Sequence, residues 1–113
     1  MKKKKLLIFI VTYNAEKTIE DVVSRIPKQL SKSYNLEILI IDDASQDKTF
    51  EISKKIKNIF SNTFKIKVLC NPFNQGYGGN QKIGYHYAIK NNFDFVVLLH
   101  GDGQYAPEVL TKL

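Results

Sequence analysis

The stretch "LLIFIVTYNAE", Leu6 to Glu16, decides how the rest of the chain is read. Six consecutive apolar residues, Leu6 to Val11, run straight into Thr12, Tyr13 and Asn14. An unbroken apolar run of this length marks a strand covered on both faces, because a half-exposed strand would alternate. It is far too short to span a bilayer. Lys2 to Lys5 ahead of it give the opening the look of a secretory leader. Polar residues follow at once, however, without a small-residue cleavage site, so the reading is a charged lead-in to a first buried strand.

Outward from this strand the pattern alternates. Ile19, Val22, Val23, Ile26 and Leu30 recur at helical spacing, with Pro27 near the end of that helix. Leu36 to Ile41 is a second solid apolar run. Asp47 can cap the next helix, which sets Ile52, Ile56 and Ile59 on one face. Lys65 to Leu69 alternates, as an edge strand does. Asn71 to Gly79 is rich in turn residues, and the helix after it turns Ile83, Tyr87 and Ala88 inward. Phe95 to Leu99 is the fourth strand, and Pro107 sits where a further helix would begin. The expectation is an α/β fold, a Rossmann-like parallel sheet in the order 3-2-1-4 with helices on both faces. Strands one, two and four, the solid runs, are expected at central positions.

With 113 residues, 43% of them hydrophobic, the chain makes one domain with one core. Its net charge is +6. No arginine-rich stripe interleaves with aromatics, which argues against a nucleic-acid surface. Most of the lysines read as solvated helix faces, and an anionic ligand such as a phosphate, or an anionic membrane surface, stays compatible with the charge. Cys70 is the one cysteine. That excludes an intrachain disulfide and a cysteine-based zinc site, and it fits a reducing, cytoplasmic compartment.

In such sheets ligands sit beyond the carboxyl ends of the strands, where the strand order reverses, here between strands one and four. The residues that end the strands are therefore the candidates. In "VTYNAE", Tyr13 either packs or stacks on a ring, and Asn14 is either a helix N-cap or a ligand contact. In "IIDDASQD", one of Asp42 and Asp43 is expected to meet a ligand while the other holds a turn. In "LHGDGQYAPE", Asp102 between Gly101 and Gly103 either closes a tight turn or binds a divalent cation bridging two phosphates. Gly76, Gly78 and Gly79 open a helix whose amides can face an anion. This is not the dinucleotide fingerprint, which would follow strand one.

Together "VTYNAE", "IIDDASQDKT", "NQGYGGNQKIGYHYA" and "LHGDGQYAPE" resemble, in order and interval, the family 2 glycosyltransferases of the GT-A fold. The last two resemble most the dolichyl- and polyprenyl-phosphate sugar synthases. The resemblance covers nearly the whole chain, and it makes residues 1–113 a single nucleotide-sugar-binding domain, the N-terminal part of a longer enzyme. It implies inverting transfer from a UDP-, GDP- or dTDP-linked sugar to a polyprenyl phosphate or glycan, with the chain cytoplasmic or at the cytoplasmic face of a membrane. It places Thr12, Tyr13, Asn14 and Glu16 along the nucleotide, Asp43 near the base beside Asp42, and Gly76, Gly101 and Gln104 around the donor. It puts Asp102 on Mn²⁺ or Mg²⁺. His100 stands where the family usually has an acid; it either joins the metal, bonds the donor or fills the turn. The catalytic base is expected beyond Leu113. The competing reading is a non-catalytic nucleotide-binding or interaction module. A chain lacking its other half is also expected to self-associate through uncovered apolar surface.

Overall fold

The computed structural model describes residues 2–103. Four parallel strands form one sheet in the order β3-β2-β1-β4. They are β1 (Lys5–Thr12), β2 (Asn35–Asp42), β3 (Lys65–Cys70) and β4 (Phe95–His100). The helices between them are α1 (Ile19–Ser24), α2 (Leu30–Ser33), α3 (Thr49–Ile59) and α4 (Gly76–Lys90). The expected order and the strand assignments hold.

Side-chain alternation on β1 divides the core in two. Leu6, Ile8 and Ile10 pack with Ile19, Val22, Val23 and Ile56 on the face of α1 and α3. Leu7, Phe9 and Val11 pack with Ala88, Ile83 and Tyr87 on the face of α4. Every residue from Leu6 to Ile10 is fully buried, which is what the solid apolar run required. Each such side chain contributes about 1.5–3 kcal/mol of transfer free energy.

Three expectations need correction. The first helix does not run unbroken to Leu30: α1 ends at Ser24, and a separate turn, α2, carries Leu30. Pro27 lies between them, where its missing N–H and fixed φ interrupt helical bonding. Ile59 is 63% exposed. The next residue, Phe60, packs against the core and takes that place. Finally β4 is an edge strand of the described sheet, paired only with β1. Its Phe95 is half exposed and Val96 to Leu98 are only partly buried. Pro107 lies outside the described residues.

Parallel register brings the strand ends level. Thr12 pairs with Asp42, Asp42 with Cys70, and Val11 with His100. Every polar cluster singled out in the sequence, as far as the described residues extend, therefore reaches the same edge.

Candidate functional site

At that edge a cleft of about 340 Å³ is lined by Val11, Thr12 and Tyr13 from the end of β1, Asp43 after β2, Asn74, Gly76, Tyr77 and Asn80 from the start of α4 and the loop before it, and His100, Gly101 and Asp102 from the end of β4. It straddles the junction of β1 and β4, the point where the strand order reverses.

The floor is set by β1 and β4. The Thr12 hydroxyl donates to the Ile41 carbonyl at 3.1 Å, which ties the end of β1 to β2. The Gly101 amide donates to the Val11 carbonyl at 2.9 Å, and Thr18 Oγ1 donates to the Gly101 carbonyl at 2.6 Å. A Cβ on Gly101 would stand 2.5 Å from Thr12 Cγ2, so only glycine lets β4 turn this close to β1.

The two acids at the end of β2 divide their work. Asp42 is buried and turns back to its own loop, accepting from the Ser45 hydroxyl and, at 3.3 Å, from the Ser45 amide. Cys70 Sγ approaches it at 3.5 Å. Cys70 is exposed, but partial desolvation of its sulfur, reinforced by this carboxylate, pushes the thiol up from its usual range. Asp43 is also buried but lines the cleft. Its Oδ1 accepts from Asn71 Nδ2 at 2.9 Å and from the Gln75 amide at 2.7 Å, so it anchors the loop leading into α4. Both bonds fall on one oxygen of a group that has two.

Asn14, Glu16 and Asp42 do not line the cleft. Asn14 adopts φ 49° and clasps the β2–α3 loop: its amide donates to Ser45 Oγ at 2.8 Å, and its Oδ1 accepts from the Gln46 amide at 2.9 Å. It is not the N-cap of α1, whose flanking residue is Thr18. Glu16 borders a separate groove with Glu20 and Lys55. Asp47 accepts from the Thr49 amide and hydroxyl and from the Glu16 amide. Partial burial would raise its carboxyl, but these hydrogen bonds outweigh it and hold the group below the usual carboxylate range. Gln104 lies outside the described residues.

Sequence reasoning passed over Asn74, Asn80 and Tyr77. Asn80 is 2% exposed inside α4, and it reaches both Asn71, at 3.0 Å, and the Ile41 carbonyl, at 3.4 Å. Polar residues directly after a glycine-rich turn were its only signal. Tyr77 stacks on His100, with ring centroids 5.1 Å apart, and its hydroxyl lies 3.1 Å from His100 Nε2.

Among the described residues no three His, Cys, Asp or Glu side chains gather to hold a metal ion. Asp102 is exposed at the end of β4, two residues past His100. One carboxylate at the mouth of a cleft fits a hard cation that completes its shell with phosphate oxygens and water, not an ion caged by protein alone.

With this geometry in place, comparison with known proteins is direct. The glycosyl transferase family 2 model matches residues 7–113. The chain belongs to that family. It is 30% identical to a UDP-N-acetylglucosamine–dolichyl-phosphate N-acetylglucosaminyltransferase of Methanococcus voltae, covering the whole chain and 47% of that relative. It is 31% identical to a dolichol-phosphate mannosyltransferase of Pyrococcus furiosus over 96% of the chain, but only 29% of that relative. The chain thus spans half or less of the length of these family 2 relatives. Among solved structures, Staphylococcus aureus TarS residues 1–349 in complex with UDP superposes with a TM-score of 0.70 at 25% identity. That match covers 99% of this chain and 30% of the TarS 1–349 chain. A Pyrobaculum calidifontis mannosyltransferase in complex with GDP-Man and Mn²⁺ gives 0.77 at 16% identity, over 98% of this chain and 31% of that one. The latter likeness concerns the fold, which is the GT-A arrangement expected from the sequence. No helix among the described residues is long and apolar enough to cross a membrane.

Proposed function

We propose that residues 1–113 form a single nucleotide-sugar-binding domain, the donor-holding part of a longer inverting glycosyltransferase. The donor is a UDP-, GDP- or dTDP-linked sugar, and the acceptor is a lipid phosphate or a glycan, met at the cytoplasmic face of a membrane. The observation that carries this reading is the convergence of residues from β1, β2, β4 and the start of α4 on one cleft at the switch point. The relatives that act on dolichyl phosphate support the lipid-phosphate acceptor.

In this reading Thr12 and Tyr13 run along the nucleotide. Asp43, already fixed by Asn71 and Gln75, presents its second oxygen to the base. Asp102 holds Mn²⁺ or Mg²⁺ jointly with the diphosphate, and Gln104, two residues on in the sequence, is assigned to the donor. When bound, that cation offsets the negative charge that develops on the departing nucleoside diphosphate. The cleft's rigid floor orients the donor for attack at its anomeric carbon. The group that takes the acceptor's proton is assigned beyond Leu113.

A thermal-shift panel of UDP-, GDP- and dTDP-sugars with and without Mn²⁺ or Mg²⁺ tests the reading. A ligand at a hundred times its Kd should stabilise the chain by about 2.7 kcal/mol. Asp102→Asn should remove the cation-dependent part, and no stabilisation by any nucleotide would refute the proposal. His100 in the place of a family acid favours a second reading, a non-catalytic nucleotide-binding module. Sugar transfer by the full-length protein would exclude it.

A further inference from the structure

His100 ends β4 at the lip of the cleft, and Tyr77 is the first side chain after the Gly76 turn of α4. The two meet across the mouth. Their rings are nearly parallel, 22° apart, and the tyrosine hydroxyl bonds the Nε2 nitrogen at 3.1 Å. Tyr77 is 52% exposed, so core packing does not force it there. Its seat is set by the backbone. Gly76 takes φ +73° to enter α4, and the Gln75 amide before it is fixed on Asp43. Where the phenol hydroxyl donates, Nε2 spends its lone pair on Tyr77 and Nδ1 carries the ring proton, so neither nitrogen offers a lone pair to a cation. To ligate a metal, Nε2 would have to leave Tyr77 and the ring would have to unstack.

We propose that Tyr77 is a positioning residue that holds the His100 imidazole off the cation, so that the cation in this cleft is bound through oxygen alone. This inference rests on reading the cleft as a nucleotide-diphosphate site. Its consequence is a cation preference. Imidazole favours Mn²⁺ over Mg²⁺, whereas carboxylate, phosphate and water serve both. The histidine therefore leaves the Mg²⁺ response intact.

Two measurements on this chain test it. In the first, long-range ¹H–¹⁵N spectra of the imidazoles are compared for the wild type and Tyr77→Phe, which keeps the ring and removes the hydroxyl. His86 and His100 are the two histidines, so each is an internal reference for the other. The His100 Nε2 resonance should move and that of His86 should not; an unmoved His100 resonance overturns the contact. In the second, calorimetry gives the Kd of UDP and of GDP with Mg²⁺ and with Mn²⁺. Wild-type values for the two cations should agree within about threefold, and Tyr77→Phe should gain a preference for Mn²⁺ of about tenfold, the scale on which groups behind a metal ligand act. Adding His100→Gln to Tyr77→Phe should abolish that gain. A strong Mn²⁺ preference in the wild type that His100→Gln removes would overturn the inference, as would an unchanged ratio in Tyr77→Phe. If neither nucleotide binds under any condition, the donor-site reading fails, and with it the cation role. The imidazole spectra then still decide whether Tyr77 positions His100.

Discussion

Gly84→Ala is the most discriminating single change in this fold. In a helix interior, alanine is ordinarily favoured over glycine by about 1 kcal/mol. Gly84 sits inside α4, yet a Cβ built on it would lie 2.3, 2.5 and 2.7 Å from three atoms of the Phe9 ring. Phe9 is fully buried, and its ring also packs edge-on against Tyr85, with centroids 5.2 Å apart. The ring therefore cannot swing aside without breaking a second contact. Overpacking of this kind costs about 1–3 kcal/mol, and three contacts below 3.0 Å put it at the upper end. Subtracting the helix gain leaves a net loss of about 2 kcal/mol, or a Tm lower by about 8 °C for a chain of this size. The assay is a urea titration of wild type and variant, with the midpoint falling and the slope unchanged. Two controls sharpen it. Gly78→Ala, on the same helix with open space around its Cβ, should be neutral or stabilising by up to about 1 kcal/mol. Phe9→Leu combined with Gly84→Ala should cost less than the sum of the two single changes, because the smaller side chain relieves the clash. If Gly84→Ala is as stable as the wild type, the close packing of α4 on β1 is wrong. Because α4 also carries Gly76, Tyr77 and Asn80 into the cleft, the variant should bind nucleotides more weakly as well.

Other outcomes follow from the same geometry. Gly101→Ala should destabilise the chain by about 1–3 kcal/mol and abolish nucleotide-induced thermal shifts, since its Cβ would collide with Thr12 in the floor of the cleft. Asp47→Ala should cost about 1 kcal/mol at neutral pH through loss of the bond to the Thr49 amide. Because the folded-state pKa of Asp47 is depressed, its contribution is fully present above the ordinary aspartate range and is lost as pH falls through the lowered value. The gap between variant and wild type, followed by denaturant titration, should therefore close in acid. Cys70 should react slowly with a thiol reagent at pH 8, because its raised pKa leaves little thiolate, and its rate should keep climbing above the pH at which a free cysteine levels off. A rate equal to that of free cysteine at pH 8 would contradict the contact with Asp42.

The sheet was legible because burial on two faces leaves an unambiguous mark. Leu6 to Val11 and Leu36 to Ile41 have no polar positions to spare, and two such strands joined by helical segments admit few arrangements. β4 misled for the same reason. Its apolar run reads as central, yet in the described sheet it has β1 on one side only. The site was legible at the strand ends, where a buried run stops on a polar residue, as at Thr12, Asp43 and His100. It was not legible where side chains of similar chemistry differ only in direction. Asp42 and Asp43 are adjacent, and only the pleat decides that the first turns back to Ser45 while the second faces the cleft. Asn14 has the residue type of a helix cap and stands just before the first helix, but its positive φ turns it across to a loop 32 residues away. Tyr77 gave no pattern at all, since its partner lies 23 residues on.

The loops after β1 and β2 are laced to one another. The amides of Asn14, Ala15 and Glu16 donate to Ser45, Thr49 and Asp47, the Gln46 amide donates back to Asn14, and the Asp43 amide donates to the Thr12 carbonyl. Loops usually exchange their amide protons through small local openings that leave the sheet intact. Here neither loop can open alone without breaking bonds in the other, and the Ala15–Thr49 bond is itself buried. The Ala15 amide should accordingly exchange with the slow, global class of the core strands. That end of the molecule would then meet a ligand as a finished surface, with its ordering entropy already spent during folding.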